Sequence, residues 1–403
     1  MSTPLRGKAI IGQSGGPTAV INESLVGAIL ESRKHGEIEV LYGARHGVKG
    51  ILDEKFVDLH AEDAANLEVV AGTPSAALGS VRLKPTAEQC RQMFEVFRKH
   101  GIHYFFYIGG NDSAETAHIV SELSHEHNYP LRVVHIPKTI DNDLMVTDHC
   151  PGFGSAARFV AQAFMGDNLD NRSLPGIKIN VIMGRHAGFL TAASALARHY
   201  SDDGPHLIYC PERSFSLEAF AADVWRVYEK LGRCVVAVSE GIHNEAGQLI
   251  AELFIKEVDS HGNKQLSGSG ALGDYLVSEL KTRLADKGKL RMRADTFGYL
   301  QRSFVGCRSE VDAAEARECG ATGIRMATEA GRNGSVVMLR SEPYKITFDL
   351  TDLGNVAQKT KLMAPNYFNE AGNDVTADFI AYAKPLVGEL PPIALLGNKA
   401  VKL

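Results

Sequence analysis

The chain of 403 residues is 44% hydrophobic and 23% charged, ordinary proportions for a globular protein long enough to divide into two or three domains. Its formal net charge of -5 argues against a nucleic-acid or anionic-membrane binder, and no apolar stretch is long enough to span a bilayer. The N-terminal MSTPLRGKAIIGQSGG holds no apolar core of signal-peptide length, and Cys90, Cys150, Cys210, Cys234, Cys307 and Cys319 form no CxxC pair. Reduced thiols in a cytoplasmic protein are therefore expected, rather than disulfides or a zinc site.

The first predicted strand, KAIIG (8–12), runs into GQSGGPTAVIN (12–22). Gly15 and Gly16 allow backbone N–H groups to approach a phosphate, and Pro17 suits the first turn of a following helix. The stretch matches neither the Walker pattern nor G-x-G-x-x-G, so a plain strand-to-helix turn competes with phosphate binding. After a second strand, IEVLYG (38–43), comes YFFYIGGNDSAET (104–116), where another double glycine opens a helix. Such a turn attracts anions through free N–H groups and the helix dipole, yet Asp112 places a carboxylate in it. Asp112-x-x-Glu115 also fits a capping box, which would make Asp112 simply a helix cap.

The fourth strand, LRVVHIP (131–137), leads into IPKTIDNDL (136–144), which crowds Lys138, Thr139, Asp141 and Asp143 into one loop. Carboxylates beside an ammonium and an alcohol suit phosphoryl transfer, in which a base orients a hydroxyl and cations balance oxyanion charge. An Asx-turn loop with a surface ion pair has the same composition. IKINVIMG (177–184) ends at MGRHAG (183–188), where Arg185 stands at a helix start, able to fork onto a phosphate. HLIYCPE (206–212) and CVVAVSEG (234–241) are further strands, the second ending at Glu240. Amphipathic helices are predicted at 186–197 and 217–231, and EVDSHGNKQLSGSGALG (257–273) reads as a surface loop. MRADTFGYLQRS (292–303) supplies Arg293, Tyr299 and Arg302, two arginines and a phenol that suit a sugar phosphate. SVVMLRSEPYKITFDLTD (335–352) reads as two strands around a turn at Glu342-Pro343, in a C-terminal extension for which the sequence shows no chemistry. His125 and His127 have no partner at metal spacing and read as structural or solvated.

Continuous apolar strands alternating with helices predict an α/β fold of mostly parallel sheets covered on both faces. Ligands in such folds bind beyond the C-terminal strand ends, where the residues named above fall.

In one chain and in this order, GGxxxxxN, GGNDS, PKTIDND, MGR, the strand-end Glu240 and G-Y-L-Q-R resemble the phosphofructokinase family, from about residue 8 to 305. The resemblance implies transfer of a phosphoryl group to the 1-hydroxyl of fructose 6-phosphate. By motif, Asp141 would be the base for that hydroxyl, Thr139 would help place the sugar phosphate, and Arg185 would stabilise the transferring group. Met183 and Gly184 of the same turn, with Glu240, Arg293, Tyr299 and Arg302, would hold the sugar phosphate. Gly15 would contact the donor, and Arg82 in LGSVRLK (78–84) matches a donor-side arginine.

Relatives that use ATP resemble these loops but carry glycine where Asp112 and Lys138 stand. Both changes resemble the pyrophosphate-dependent branch of the family. Asp112 would exclude the α-phosphate of ATP, Lys138 would neutralise inorganic pyrophosphate, and the reaction would run in either direction. Tyr299, in place of the histidine usual in ATP users, points the same way. Asn111 stands where many relatives have an aspartate serving Mg2+, and is kept as a Mg2+-site position. Gly176 lies near where bacterial ATP enzymes supply an arginine across a subunit interface. An ATP-dependent enzyme with Asp112 as a cap, and a non-catalytic sugar-phosphate sensor, are the rival readings.

The resemblance also implies two similar Rossmann-like domains with the site between them, in a homodimer or homotetramer. Residues 1–152 would form the donor side, with about 301–355 returning to it. Residues 153–300 would form the sugar side, and 356–403 a helical C-terminal extension.

Overall fold

The computed structural model describes residues 5–253 and 270–397. The strands, in chain order, are β1 (Gly7–Gln13), β2 (Ile38–Ala44), β3 (Phe56–Asp58), β4 (Ile102–Gly109), β5 (Arg132–Pro137), β6 (Ile177–Ile182), β7 (Leu207–Tyr209), β8 (Cys234–Ser239), β9 (Met292–Thr296), β10 (Gly334–Ser341) and β11 (Lys345–Thr351). They form one sheet in the order β11-β10-β5-β4-β1-β2-β3 and another in the order β7-β8-β6-β9. Pairing is parallel throughout the second sheet, and antiparallel in the first only for β2–β3 and β10–β11. The late hairpin is thus part of the first sheet, with β10 joined to β5 through Gly334 opposite Val134 and Ser335 opposite His135.

Burial on both faces explains why these strands read as unbroken apolar runs. In β4, Phe105 and Tyr107 pack with Ile10 and Val133, while Tyr104, Phe106 and Ile108 join a separate core with Ile11 and Ile136. In the second sheet, Ile177, Ile179 and Val181 share a core with Val236 and Val238, whereas Ile182 packs with Val235 and Ala237. That last core also takes Met363, Phe368, Phe379, Ala383 and Leu386. The C-terminal segment therefore completes a core, and its one α-helix among the described residues is Ala377–Val387.

The helix predicted at 217–231 spans Leu217–Leu231, capped by the Ser216 hydroxyl and ended by left-handed Gly232. The one predicted at 186–197 begins only at Phe189, after Gly188, and tightens to a 3-10 turn at Ser194–Ala197. The predicted loop at 257–273 lies outside the described residues up to 269, and its last residues open the helix Ala271–Arg283. All six cysteines are free and buried.

The helix that follows the Gly15–Gly16 turn, Ile21–Ser32, is anchored against Glu310–Thr328 by two glycines. A Cβ on Gly27 would lie 2.0 Å from the Arg317 carbonyl oxygen, and one on Gly320 would lie 1.9 Å from that of Ser24. Gly320→Ala gains about 1 kcal/mol of helix propensity but forces two backbones apart, which overpacking data put at about 1–3 kcal/mol. We expect net destabilisation in urea unfolding; a more stable variant would refute the close approach.

Candidate active site

Turns leaving the C-terminal ends of β1, β4, β5, β6 and β8 all contribute to one cleft of about 540 Å³. Gly15 has φ of +75°, and a Cβ on it would stand 3.1 Å from the Lys138 Nζ. A Cβ on Gly16 would stand 3.1 Å from the Arg302 Cζ. The double glycine is bare because two cations rise beneath it. Lys138 donates from Nζ to the Gly16 carbonyl oxygen at 2.9 Å. The second glycine turn is as tight, since a Cβ on Gly109 would collide with the Ser113 Oγ, which itself donates to the Ser14 Oγ at 2.8 Å.

Asp112 is not a helix cap. The helix Asn111–Glu126 takes Gly110 as its N-cap, without a side-chain cap, and Asp112 lies in its first turn. The Asp112 carboxylate lines the cleft at its rim, 75% exposed and 3.8 Å from the Lys84 Nζ. Glu115, its presumed capping-box partner, instead pairs with Lys84 at 2.7 Å and accepts from the Gln358 Nε2 at 2.6 Å.

Deeper in, the loop after β5 carries Lys138, Thr139, Asp141 and Asp143 into the cleft. The Asp141 N–H donates to the Thr139 Oγ1 at 3.1 Å, which fixes the turn, while the Asp141 Oδ1 is buried without a hydrogen-bond partner. Burial first, then the charges of Asp143 and Glu240, hold the Asp141 carboxyl well above the ordinary carboxylate range. Burial, and next the neighbouring Arg302, push Lys138 down to about 8. An acid raised and an ammonium lowered in one cleft are the marks of proton-transfer chemistry.

Met183, Arg185, Glu240 and Arg302 also line the cleft, as do Arg82 and Lys84. The Arg302 guanidinium lies 4.6 Å from the centroid of the half-exposed Tyr299 ring, which itself does not line the cleft. Gly184 does not line it either. Its carbonyl accepts from the Ser239 Oγ at 2.6 Å, and a Cβ on it would meet the Ala187 carbonyl oxygen at 2.5 Å, so it shapes the turn that presents Arg185. Arg293 sits on β9, donates to the Met292 carbonyl at 2.9 Å, and faces another hollow with Lys281, Lys289 and Arg291. Gly176 is packed against Arg291, its carbonyl accepting from Asn171 and Cys234.

Sequence reading missed Ser14, Lys84, Ser113, His186, Gln358 and Thr360, all of which line the cleft, and gave Asp143 no separate role. Asp143 and His186 adjoin recognised motifs and could have been read from them. Gln358 and Thr360 come from the C-terminal segment, where no motif signals them.

Among the described residues no group of three or more His, Cys, Asp or Glu could hold a metal ion. The Asn111 Oδ1 is nevertheless buried without a partner, as is the Asp141 Oδ1, and the Asn111 amide nitrogen donates to the Asp143 Oδ2 at 3.3 Å. So sparse an oxygen set fits Mg2+, which keeps several waters and takes other ligands from phosphates.

Parallel sheets meeting over a raised carboxyl, a buried ammonium and converging arginines define an enzyme of phosphoryl transfer. The Phosphofructokinase family pattern matches residues 8–327, and the chain belongs to that family. It is 56% identical to the pyrophosphate–fructose 6-phosphate 1-phosphotransferase of Rhodospirillum rubrum over 402 residues, covering 99% of both chains. Its identity to the enzyme of the same name from Xanthomonas campestris is 38%, covering 96% of this chain and 93% of that one. The crystal structure of a pyrophosphate-dependent phosphofructokinase from Marinobacter aquaeolei superimposes with a TM-score of 0.83 at 33% identity, covering 96% of this chain and 94% of that one. Among the described residues no helix is long and apolar enough to cross a membrane.

Proposed function

We infer that the chain transfers a phosphoryl group reversibly from inorganic pyrophosphate to the 1-hydroxyl of fructose 6-phosphate, giving fructose 1,6-bisphosphate and orthophosphate. The observation that carries this donor choice is the pair of charges on the donor turns, with Lys138 buried under Gly15 and Asp112 at the rim. The names of the Rhodospirillum and Xanthomonas relatives support it. The rival in which ATP is the donor loses its premise, because Asp112 caps no helix.

Asp141 accepts the proton of the sugar 1-hydroxyl. The hydroxyl oxygen bonds to the nearer phosphorus as the bridging P–O bond breaks, and its electron pair leaves with orthophosphate. Lys138 and Arg185 balance charge on the oxygens of the transferring group, a role suited to preorganised cations in a partly dehydrated cleft. Gly15 offers backbone to the donor. Thr139, Met183, Glu240 and Arg302 place the sugar phosphate, Gly184 shapes the turn that presents Arg185, and Tyr299 supports Arg302 through its ring. Asn111 and Asp143, already joined by a hydrogen bond, would hold Mg2+ through their oxygens, leaving Asp141 free as the base, and the ion would supply charge neutralisation on the pyrophosphate when bound. Arg293, turned to a separate hollow, is assigned to sugar-phosphate binding in an assembled homodimer or homotetramer.

Incubation with pyrophosphate, fructose 6-phosphate and Mg2+, followed by phosphorus NMR, tests the reaction. Growth of bisphosphate and orthophosphate signals is expected, with reversal when the products are supplied. Absence of pyrophosphate consumption would defeat the reading.

The two perturbed groups set the pH profile. Asp141 must be ionised, so kcat/KM falls on the acid side well above the ordinary carboxylate range. Lys138 must be protonated, so activity falls again with a midpoint near 8, where the free enzyme loses that charge. A profile flat from about pH 6 to about 9 would contradict both roles.

A further inference from the structure

The C-terminal segment, beyond the residues that the family pattern matches, reaches back into the loop that carries Asp141. Lys361 donates its backbone N–H to the Asp143 carbonyl at 2.7 Å. Its Nζ donates to the carbonyls of Thr147 at 3.1 Å and Asp148 at 2.9 Å, and lies 5.3 Å from the centroid of the Phe189 ring. Tyr382, on the helix Ala377–Val387, donates its hydroxyl to the Asp148 carbonyl at 2.9 Å and accepts from the Asn142 Nδ2 at 2.7 Å.

The loop needs such holding. Asn142, between the two carboxylates, has φ of 60°, and Val146 has φ of 70°. Residues other than glycine, and a β-branched valine above all, keep left-handed conformations only when neighbours impose them. Thr139 and Gly152 bridge the two ends of the loop, Met338 of β10 holds Thr147 and Asp148, Glu315 holds His149, and the C-terminal segment takes Asn142 through Tyr382 and the Asp143 carbonyl through Lys361. A lysine ammonium placed against backbone carbonyls in this way has a cost of desolvation that those bonds, the Phe189 ring and the charges of Asp143 and Asp148 offset.

We propose that Lys361 is a positioning residue for phosphoryl transfer, which together with Tyr382 fixes the loop so that the Asp141 carboxylate faces the acceptor hydroxyl. This rests on Asp141 as the base. It assigns to the C-terminal segment a part in the chemistry, through the loop rather than through the substrates.

The test compares the full-length parent with Lys361→Met and Tyr382→Phe. Misplacement of a reacting group by about 1 Å costs about 100-fold, so Lys361→Met should lose kcat by about 10- to 100-fold. KM for both substrates should stay within about two-fold, because Glu240, Arg302 and the Gly15 turn lie outside the loop, and Lys138 and Thr139 are held by Gly16 and Gly152 rather than by Lys361. Ethylammonium should restore part of the lost turnover in Lys361→Ala, and tetramethylammonium, which has no N–H, should not. Tyr382→Phe removes one oxygen and should lower kcat several-fold with the same unchanged KM. The proposal is overturned if folded Lys361→Met keeps kcat within about three-fold of the parent, if KM rises in step with the loss, or if both amines act alike. Should Lys361→Met fail to fold, Tyr382→Phe decides alone, and an unchanged kcat overturns the proposal. Each comparison uses the donor that the parent consumes, so a failure of pyrophosphate as donor is seen in the parent and is distinct from a failure of the clamp.

Discussion

Asp141→Ser should lower kcat by about three orders of magnitude, within the range of about 100- to 10,000-fold for loss of a general base. Binding of fructose 6-phosphate, measured by calorimetry, should survive. The sign of the small binding change is also set by the structure. Asp141 shares the cleft with Asp143 and Glu240, whose charges raise its carboxyl, so its removal relieves repulsion toward an anionic ligand. Fructose 6-phosphate should therefore bind as well as before or slightly tighter while turnover collapses. Unchanged turnover would remove Asp141 from the chemistry, and lost binding would make it a ligand for the sugar instead.

The second large effect concerns the donor. In Asp112→Gly/Lys138→Gly we expect kcat/KM with pyrophosphate to fall by about 100-fold or more, since a preorganised cation contributes on the order of 3 kcal/mol to charge development. With ATP it should rise from a negligible level. Two like charges about 4 Å apart interact by about 4 kcal/mol at an effective dielectric of about 20, and by about 1 kcal/mol in water. Asp112 is 75% exposed, so the lower half of that range applies, and a gain of about 10-fold in ATP use is the natural scale. The gain should be partial, because Lys84, Glu115 and Gln358 still join across the rim. A double variant that loses pyrophosphate activity and gains nothing with ATP would leave Lys138 its role and deny Asp112 the part of a filter.

The parallel strands were legible because burial on both faces leaves apolar runs with sharp glycine ends, as at Ile108-Gly109-Gly110. The donor turns were legible for a related reason, since Gly15 and Gly16 leave room for Lys138 and Arg302, and Gly15 also takes the left-handed φ of +75° that glycine favours. Local pattern left two readings open at Asp112, because its spacing to Glu115 imitates a capping box, although Gly110 takes the cap. Glu115 is drawn away by Lys84 and Gln358, partners 31 and 243 residues distant in the chain. The same distance hid the C-terminal segment. Nothing in the vicinity of Lys361 or Tyr382 announces that their bonds end on a loop more than two hundred residues earlier. Arg293 shows the converse limit, a residue whose motif is clear and whose side chain in the single chain faces a hollow apart from the cleft.

The most direct measurement is a donor comparison in the unaltered protein, with fructose 6-phosphate and Mg2+ present and kcat/KM determined for pyrophosphate and for ATP. The account predicts turnover with pyrophosphate and an ATP value lower by at least about 100-fold, the combined effect of an excluded inner phosphate and an ammonium sited for a compact donor. Efficient use of ATP, with pyrophosphate inert, would contradict it.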